Sequence, residues 1–304
     1  MATDAKTFLR NLVPDPVLGI IRNWRGRKEG RAITDLQLVL DTAPTSPEWL
    51  SADELEQLCI EFTFPTPYGY DENAVEERGQ QRAEFVPNKL NGKPAQTFLD
   101  LACFDGMTAA ALQRQGRSCW GVDLTDSGFD ARARHAGVQF AAMDASAMSF
   151  ADGFFDVVYS FNAFEHFEHP EIVLREALRV TKPGGHVILR FGPLYASAKG
   201  LHAYDRIPVP YCQFLFPLEV MNGYLRKNSL EEIDPAHCNQ WSVQQFRELW
   251  KSVSDLAVVC TNEEFTWLED LPTVRRYPSC FKGKVGSAED LAVNIIEVAL
   301  TLRE

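Results

Sequence analysis

The sequence predicts an α/β fold built on a doubly wound, mostly parallel sheet. Two observations carry this. From Thr97 onward, short apolar runs alternate with segments of helical period, and the first two runs close on an acid, Asp100 within TFLDL and Asp123 at the end of SCWGVD. Strands apolar on both faces belong in a parallel sheet covered by helices, with right-handed crossovers between them. Composition agrees: 304 residues at 45% hydrophobic and 24% charged can fill a sizeable core.

The N-terminal stretch is the basic one. Through Arg31 it holds seven Lys or Arg against three acids, interleaved with Phe8, Leu12, Ile20, Ile21 and Trp24. Two readings stay open: an amphipathic anchor making weak peripheral contact with anionic lipid, or a terminal helix docked on the domain and shortened by Pro14 and Pro16. Residues 1–91 are expected to form a mostly helical extension. Ser51 can cap a helix over Asp53–Phe62, FPTPYGY at 64–70 must be irregular, and Glu72–Glu84 reads as a polar, solvated helix.

The core begins after Asn91, Gly92 and Pro94 mark a boundary. Its strands are expected at Thr97–Leu101, Ser118–Asp123, Gly137–Ala142, Phe155–Ser160 and His186–Phe191. A helix over Pro170–Val180 has Pro in its first turn and a Glu171–Arg175 pair, and Pro183-Gly184-Gly185 stops it. The rhythm breaks over 196–240, where tyrosines and phenylalanines lie among prolines, as expected of a lid or acceptor-binding insertion. It resumes over 241–304 with a Ser242-capped helix and strands at Asp255–Thr261 and Ala292–Leu302, which makes seven strands. The domain reading is therefore 1–91 extension, 92–195 cofactor-binding core, 196–240 insertion and 241–304 return to the core.

Charge and cysteine usage narrow the function. A net charge of −12 repels nucleic acid and anionic surfaces at long range. Seven scattered cysteines without a CxxC pair read as reduced thiols, and the N-terminus lacks the unbroken apolar core of a signal peptide, so a cytoplasmic protein is expected. No apolar run approaches the roughly 20 residues of a membrane span.

Five blocks in register carry a resemblance: FLDLACFDG (98–106), GVDLTD (121–126), the stretch from Ala141 to His166, EALRVTKPGG (176–185) and HVILRFGP (186–193). Together they resemble the class I, Rossmann-like S-adenosylmethionine-dependent methyltransferases, especially the group acting on small molecules and glycans. The resemblance implies S-adenosyl-L-methionine as cofactor and S-adenosyl-L-homocysteine as product. It places Asp100 at the methionyl amino group, with Ala102, Cys103, Phe104 and Gly106 forming the loop beneath. Asp123 would hold both ribose hydroxyls beside Leu124. Asp144 would accept from the adenine amino group, with Met143 and Ala145 against the ring, and Ser160 and Phe161 would complete the cofactor contacts. The family's glycine-rich loop departs here, since Ala102 and Phe104 occupy its first two glycine positions. GxGxxG does not occur, which weighs against a nicotinamide-dependent oxidoreductase.

Methyl transfer mainly requires alignment and, for a hydroxyl acceptor, a group that takes its proton. His166, after the fourth strand, is the first candidate. His202, Tyr204 and Asp205 of the insertion are the others. Quinone-related members of the resembling group bind a divalent metal through two Glu and a His in this segment. Asn162 stands at the first Glu position, so no metal site is expected. The DPPY or NPPY segment of amino-methylating nucleic-acid enzymes is absent after strand four. The expected function is methyl transfer to oxygen of a small-molecule or glycan-type acceptor. The alternatives are a cofactor-binding regulator without turnover and a nucleotide-dependent oxidoreductase.

Overall fold

In the computed structural model, which describes residues 30–265 and 270–304, seven strands form one sheet. They are β1 (Thr97–Leu101), β2 (Ser118–Asp123), β3 (Gln139–Ala142), β4 (Phe155–Phe161), β5 (Thr181–Phe191), β6 (Ala257–Phe265) and β7 (Val293–Leu302). Their spatial order is β3-β2-β1-β4-β5-β7-β6. β1 to β5 pair in parallel, whereas β7 runs antiparallel between β5 and β6. The order reverses between β1 and β4, so a crevice opens beyond the carboxyl ends of these two strands.

Alternation along the strands explains the layers. Phe98 and Val157 turn to one face, and Leu99 and Val158 to the other. Helices Met107–Arg114 and Ala131–His135 cover the first face, and Pro170–Val180 and Val243–Ser252 cover the second. Ser242 caps the last of these through a capping box with Gln245. β5 starts at Thr181 rather than at His186. Thr181 pairs with Phe155, and a bulge in the ladder absorbs the Pro183-Gly184-Gly185 segment.

Two expectations about the N-terminal part change. The helix Glu72–Asn88 is longer than expected and not simply solvated: Val75, Gly79, Ala83 and Val86 form a buried stripe against Met107–Arg114. The approach is close, since a Cβ on Gly79 would lie 2.8 Å from the Met107 carbonyl oxygen. The extension and the insertion also share one core. Leu36 and Leu40 of a helix over 30–42, and Leu55 and Leu58 of helix Ala52–Glu61, pack with Tyr211, Phe214, Phe216 and Leu225. This joint lobe stands beside the sheet and brings both segments to the crevice. The lipid-contact reading falls on a stretch that lies, but for its last two residues, outside the described residues. Among the described residues no helix is long and apolar enough to cross a membrane.

Candidate functional site

The crevice holds a cavity of about 490 Å³. Its floor is the end of β1 and the turn after it: Asp100, Ala102, Cys103 and Phe104, with Asp105 beside them. Ala102 and Phe104 have φ of 52° and 47°, and Gly106 has φ of 70°. The turn therefore keeps a left-handed conformation that glycine adopts freely and L side chains adopt at a cost of roughly 1–2 kcal/mol each. Phe104 accommodates this by turning outward, 57% exposed, with its ring edge over Gly128.

Asp100 is buried, and among the described residues it has no ion pair within 4.0 Å. Burial drives its carboxyl well above the ordinary aspartate range. The Arg82 guanidinium opposes this, and Asp105 and Asp123 add to it. Asp123 ends the neighbouring strand, where its carboxylate accepts from Phe104 N–H at 2.9 Å and Leu124 N–H at 2.8 Å. One strand further along, Met143 N–H donates to the Asp123 carbonyl at 2.8 Å, and Asp144 accepts from Ser146 N–H at 2.7 Å, which lowers its pKa. Asp144 is exposed and Ala145 buried. Asp100, Asp123 and Asp144 thus step along the carboxyl edge of β1, β2 and β3. Only the first lines the cavity, and the other two flank an open shelf.

The opposite wall follows β4. Phe161 and Asn162 lead into Glu165 and His166. Glu165 is 1% exposed, its Oε1 accepts from Gly192 N–H at 3.1 Å, and burial pushes its carboxyl up to about 7. His166 and His202 meet here with ring centroids 4.9 Å apart. Burial holds both imidazoles neutral, His202 down to about 4. Tyr204 is half-buried on the same wall, and burial raises its phenol.

Three further expected site residues lie outside the cavity. Asp205 turns away from the cavity to meet Arg206 at 3.3 Å and solvent. Ser160 points into the sheet interior, 2% exposed, and donates to the Leu101 carbonyl at 2.9 Å, because strand alternation gives the cavity side to Phe161. Gly106 lies behind the wall as the N-cap of helix Met107–Arg114.

The sequence reading missed three contributors. Arg78 and Arg82 project from helix Glu72–Asn88 into the cavity, Arg78 4.4 Å from the Tyr68 ring centroid and Arg82 4.7 Å from that of Phe161. The buried stripe Val75-Gly79-Ala83 was the available signal, since it fixes the direction of the neighbouring arginines. Tyr68 and Tyr70, rings 5.2 Å apart, line the mouth from the irregular 64–70 loop. His237 is the third, and no local pattern announces it.

Residues 99–189 match the family model for the methyltransferase domain. Over these residues the chain carries a methyltransferase domain, on a sheet of the class I methyltransferase fold. That domain is 35% identical over 118 residues to an uncharacterized methyltransferase of Mycobacterium sp. (strain KMS), covering 36% of this chain and 45% of that protein. It is 32% identical over 134 residues to a demethylmenaquinone methyltransferase of Corynebacterium efficiens, covering 40% and 58%. It is 29% identical over 113 residues to a ubiquinone biosynthesis O-methyltransferase of Alkalilimnicola ehrlichii, covering 35% and 46%. The matched part spans about half the length of these relatives. A solved structure, the YcgJ protein of Bacillus subtilis, overlaps at a TM-score of 0.47 and 17% identity over 74% of this chain and 99% of that one.

Proposed function

We propose that this protein is an S-adenosylmethionine-dependent methyltransferase acting on an oxygen of a small-molecule or glycan-type acceptor. The observation that carries this reading is the continuity of one cavity from Asp100 and Ala102, past Phe161, to His166, His202 and Tyr204. The fit to the cofactor rests on Asp100: a buried carboxylate on a cavity wall without an ion pair is costly unless a cation meets it. The methionyl ammonium is such a cation, and Arg82 opposite suits the methionyl carboxylate. Asp123 and the shelf beyond it suit ribose and adenine.

When bound, S-adenosylmethionine supplies a methyl group on a positively charged sulfur. The chain's own residues then do three things. Asp100, Arg82 and Asp123 fix the donor's position, which is the main source of rate in an in-line displacement. Phe161, Tyr68, Tyr70 and Tyr204 offer ring faces to an acceptor ring and restrict water. His166 and His202, kept neutral by burial, can take the proton of an acceptor hydroxyl. Neutral proton acceptors at this end favour oxygen as the site of methylation. Two relatives, a ubiquinone biosynthesis O-methyltransferase and a demethylmenaquinone methyltransferase, support a small-molecule acceptor, and the first supports oxygen as the methylated atom.

Calorimetric titration with S-adenosylmethionine and S-adenosylhomocysteine tests the cofactor, and transfer of labelled methyl into fractionated small molecules and polysaccharides tests the acceptor. Binding of both, with label in an alkali-stable ether or an ester, is expected. Binding without transfer to any fraction would leave a regulator instead of an enzyme.

A further inference from the structure

His166, His202 and His237 come from three separate segments: the loop after β4, the start of the insertion, and a short 3-10 turn over Pro235–His237. Their ring centroids lie 4.9, 4.4 and 5.5 Å apart, and one nitrogen from each ring lies within 4.8 Å of the other two. Two of the tautomers follow from hydrogen bonding. His166 Nδ1 is 2.6 Å from the His237 carbonyl oxygen, and His202 Nε2 is 2.9 Å from the Pro193 carbonyl oxygen. A carbonyl only accepts, so both nitrogens carry the proton and donate it. His166 Nε2 and His202 Nδ1 are then left with lone pairs. A ring whose far N–H is tied to a backbone carbonyl is the usual state of a metal-ligating histidine, because that bond fixes the tautomer and the ring's direction.

A separate observation points to a cation at the same place. Glu165, 1% exposed and on the same cavity wall, has its Oε1 3.8 Å from His166 Nε2, and its Oε2 is buried with no hydrogen-bond partner among the described residues. The segment is also held in place: Asn239 Nδ2 donates to the carbonyls of Phe164 at 2.7 Å and Phe167 at 2.9 Å, tying the β4 loop to the part of the insertion that carries His237.

We propose that His166, His202 and His237 bind one divalent transition-metal ion, Zn²⁺ by ligand type, with the buried Glu165 carboxylate as its neighbouring anion. Three imidazoles suit Zn²⁺ and Co²⁺ and leave a fourth position open. With metal–nitrogen distances of roughly 2.0–2.1 Å the ligand atoms must draw together by about an ångström, within reach of side-chain rotation. With the ion in place, the two lone pairs would bind it instead of an acceptor proton, at the wall of the cavity that all three histidines line. That the ion holds the acceptor oxygen rests on the methyltransferase reading; the binding itself does not.

The test uses the full chain, stripped with EDTA and titrated with Co²⁺. One ion per chain is expected, with visible ligand-field bands and without the intense near-ultraviolet absorption of a thiolate ligand. His202→Asn keeps a residue that tolerates the left-handed backbone at φ 58°, and His237→Gln alters an exposed ring. Each should weaken Co²⁺ at least tenfold. Zn²⁺ should raise the melting temperature of the unmodified chain but of neither variant, and each variant's own melting curve shows that it is folded. No saturable Co²⁺ spectrum, a thiolate spectrum, or unchanged affinity in both variants would overturn the site. S-adenosylmethionine titration of the same stripped protein tests the methyltransferase reading separately.

Discussion

Asp100 and Asp156 sit on neighbouring strands at opposite ends of the sheet, and the contrast between them separates a binding group from a structural one. Asp156, at the foot of β4, is saturated. It accepts from Gln96 N–H and Thr97 N–H at 2.8 Å, from Thr97 Oγ1 at 2.9 Å and from Lys182 Nζ at 2.7 Å. Burial works against its charge, but these bonds prevail and hold the carboxyl at about 2. Asp100, at the head of β1, is more deeply buried and lacks such partners, so its charge is disfavoured. One aspartate ties β1 to β4 and β5; the other has its charge disfavoured by burial until a cation from outside the protein meets it.

The largest effect is therefore expected at Asp100. Asp100→Asn removes the carboxylate opposite the methionyl ammonium and should weaken S-adenosylmethionine about 100-fold, equivalent to about 3 kcal/mol. The melting temperature at neutral pH should stay level or rise, because a buried charge has been removed. A fall in stability with affinity intact would reverse the contrast and make Asp100 structural.

Asp156→Asn should do the opposite: destabilise by about 1–2 kcal/mol at pH 7, after allowance for its partial exposure, and leave cofactor affinity unchanged. The sign fixes its pH dependence. A carboxyl whose folded value lies below its unfolded value contributes fully above the unfolded value, near 4, and loses that contribution as pH falls through 2. Denaturant midpoints of the two proteins should converge between about pH 4 and pH 2. Parallel curves over that range would assign the stabilisation to something other than ionised Asp156. At the head of the sheet Arg82→Ala is a smaller perturbation, expected to weaken the cofactor about tenfold by calorimetry, since Asp100 and Asp123 remain.

How much of this was legible in the sequence follows from which features are local. The seven strands and the acids at the ends of β1 and β2 could be read, because a two-residue strand period and a turn place a residue to within one position. Ser160 was misplaced by that one position, enough to move it from cavity to interior. Arg82 was half legible: the helix was visible, but its inward face is set by packing on Met107–Arg114. His237 was not legible. It reaches His166 and His202 only because the insertion folds back on the shared core with the N-terminal helices, and no spacing encodes that return.

The smallest and most informative change is Phe104→Gly. At the foot of the sheet Asp156 is saturated with hydrogen bonds, whereas the head holds Ala102 and Phe104 in a left-handed turn. Glycine at 104 removes a strain of roughly 1–2 kcal/mol but adds roughly 0.5–1 kcal/mol of unfolded-chain entropy, so the net gain is at most about 1.5 kcal/mol. The ring contributes little to the core, being 57% exposed. A rise in melting temperature of a few degrees at most is expected, with cofactor affinity reduced severalfold because Phe104 lines the cavity floor. A rise in stability with lower affinity means the strain is tolerated for binding, as the head-and-foot contrast requires. A fall in stability would mean that packing of the ring over Gly128 outweighs the strain, and would make this turn as structural as the foot.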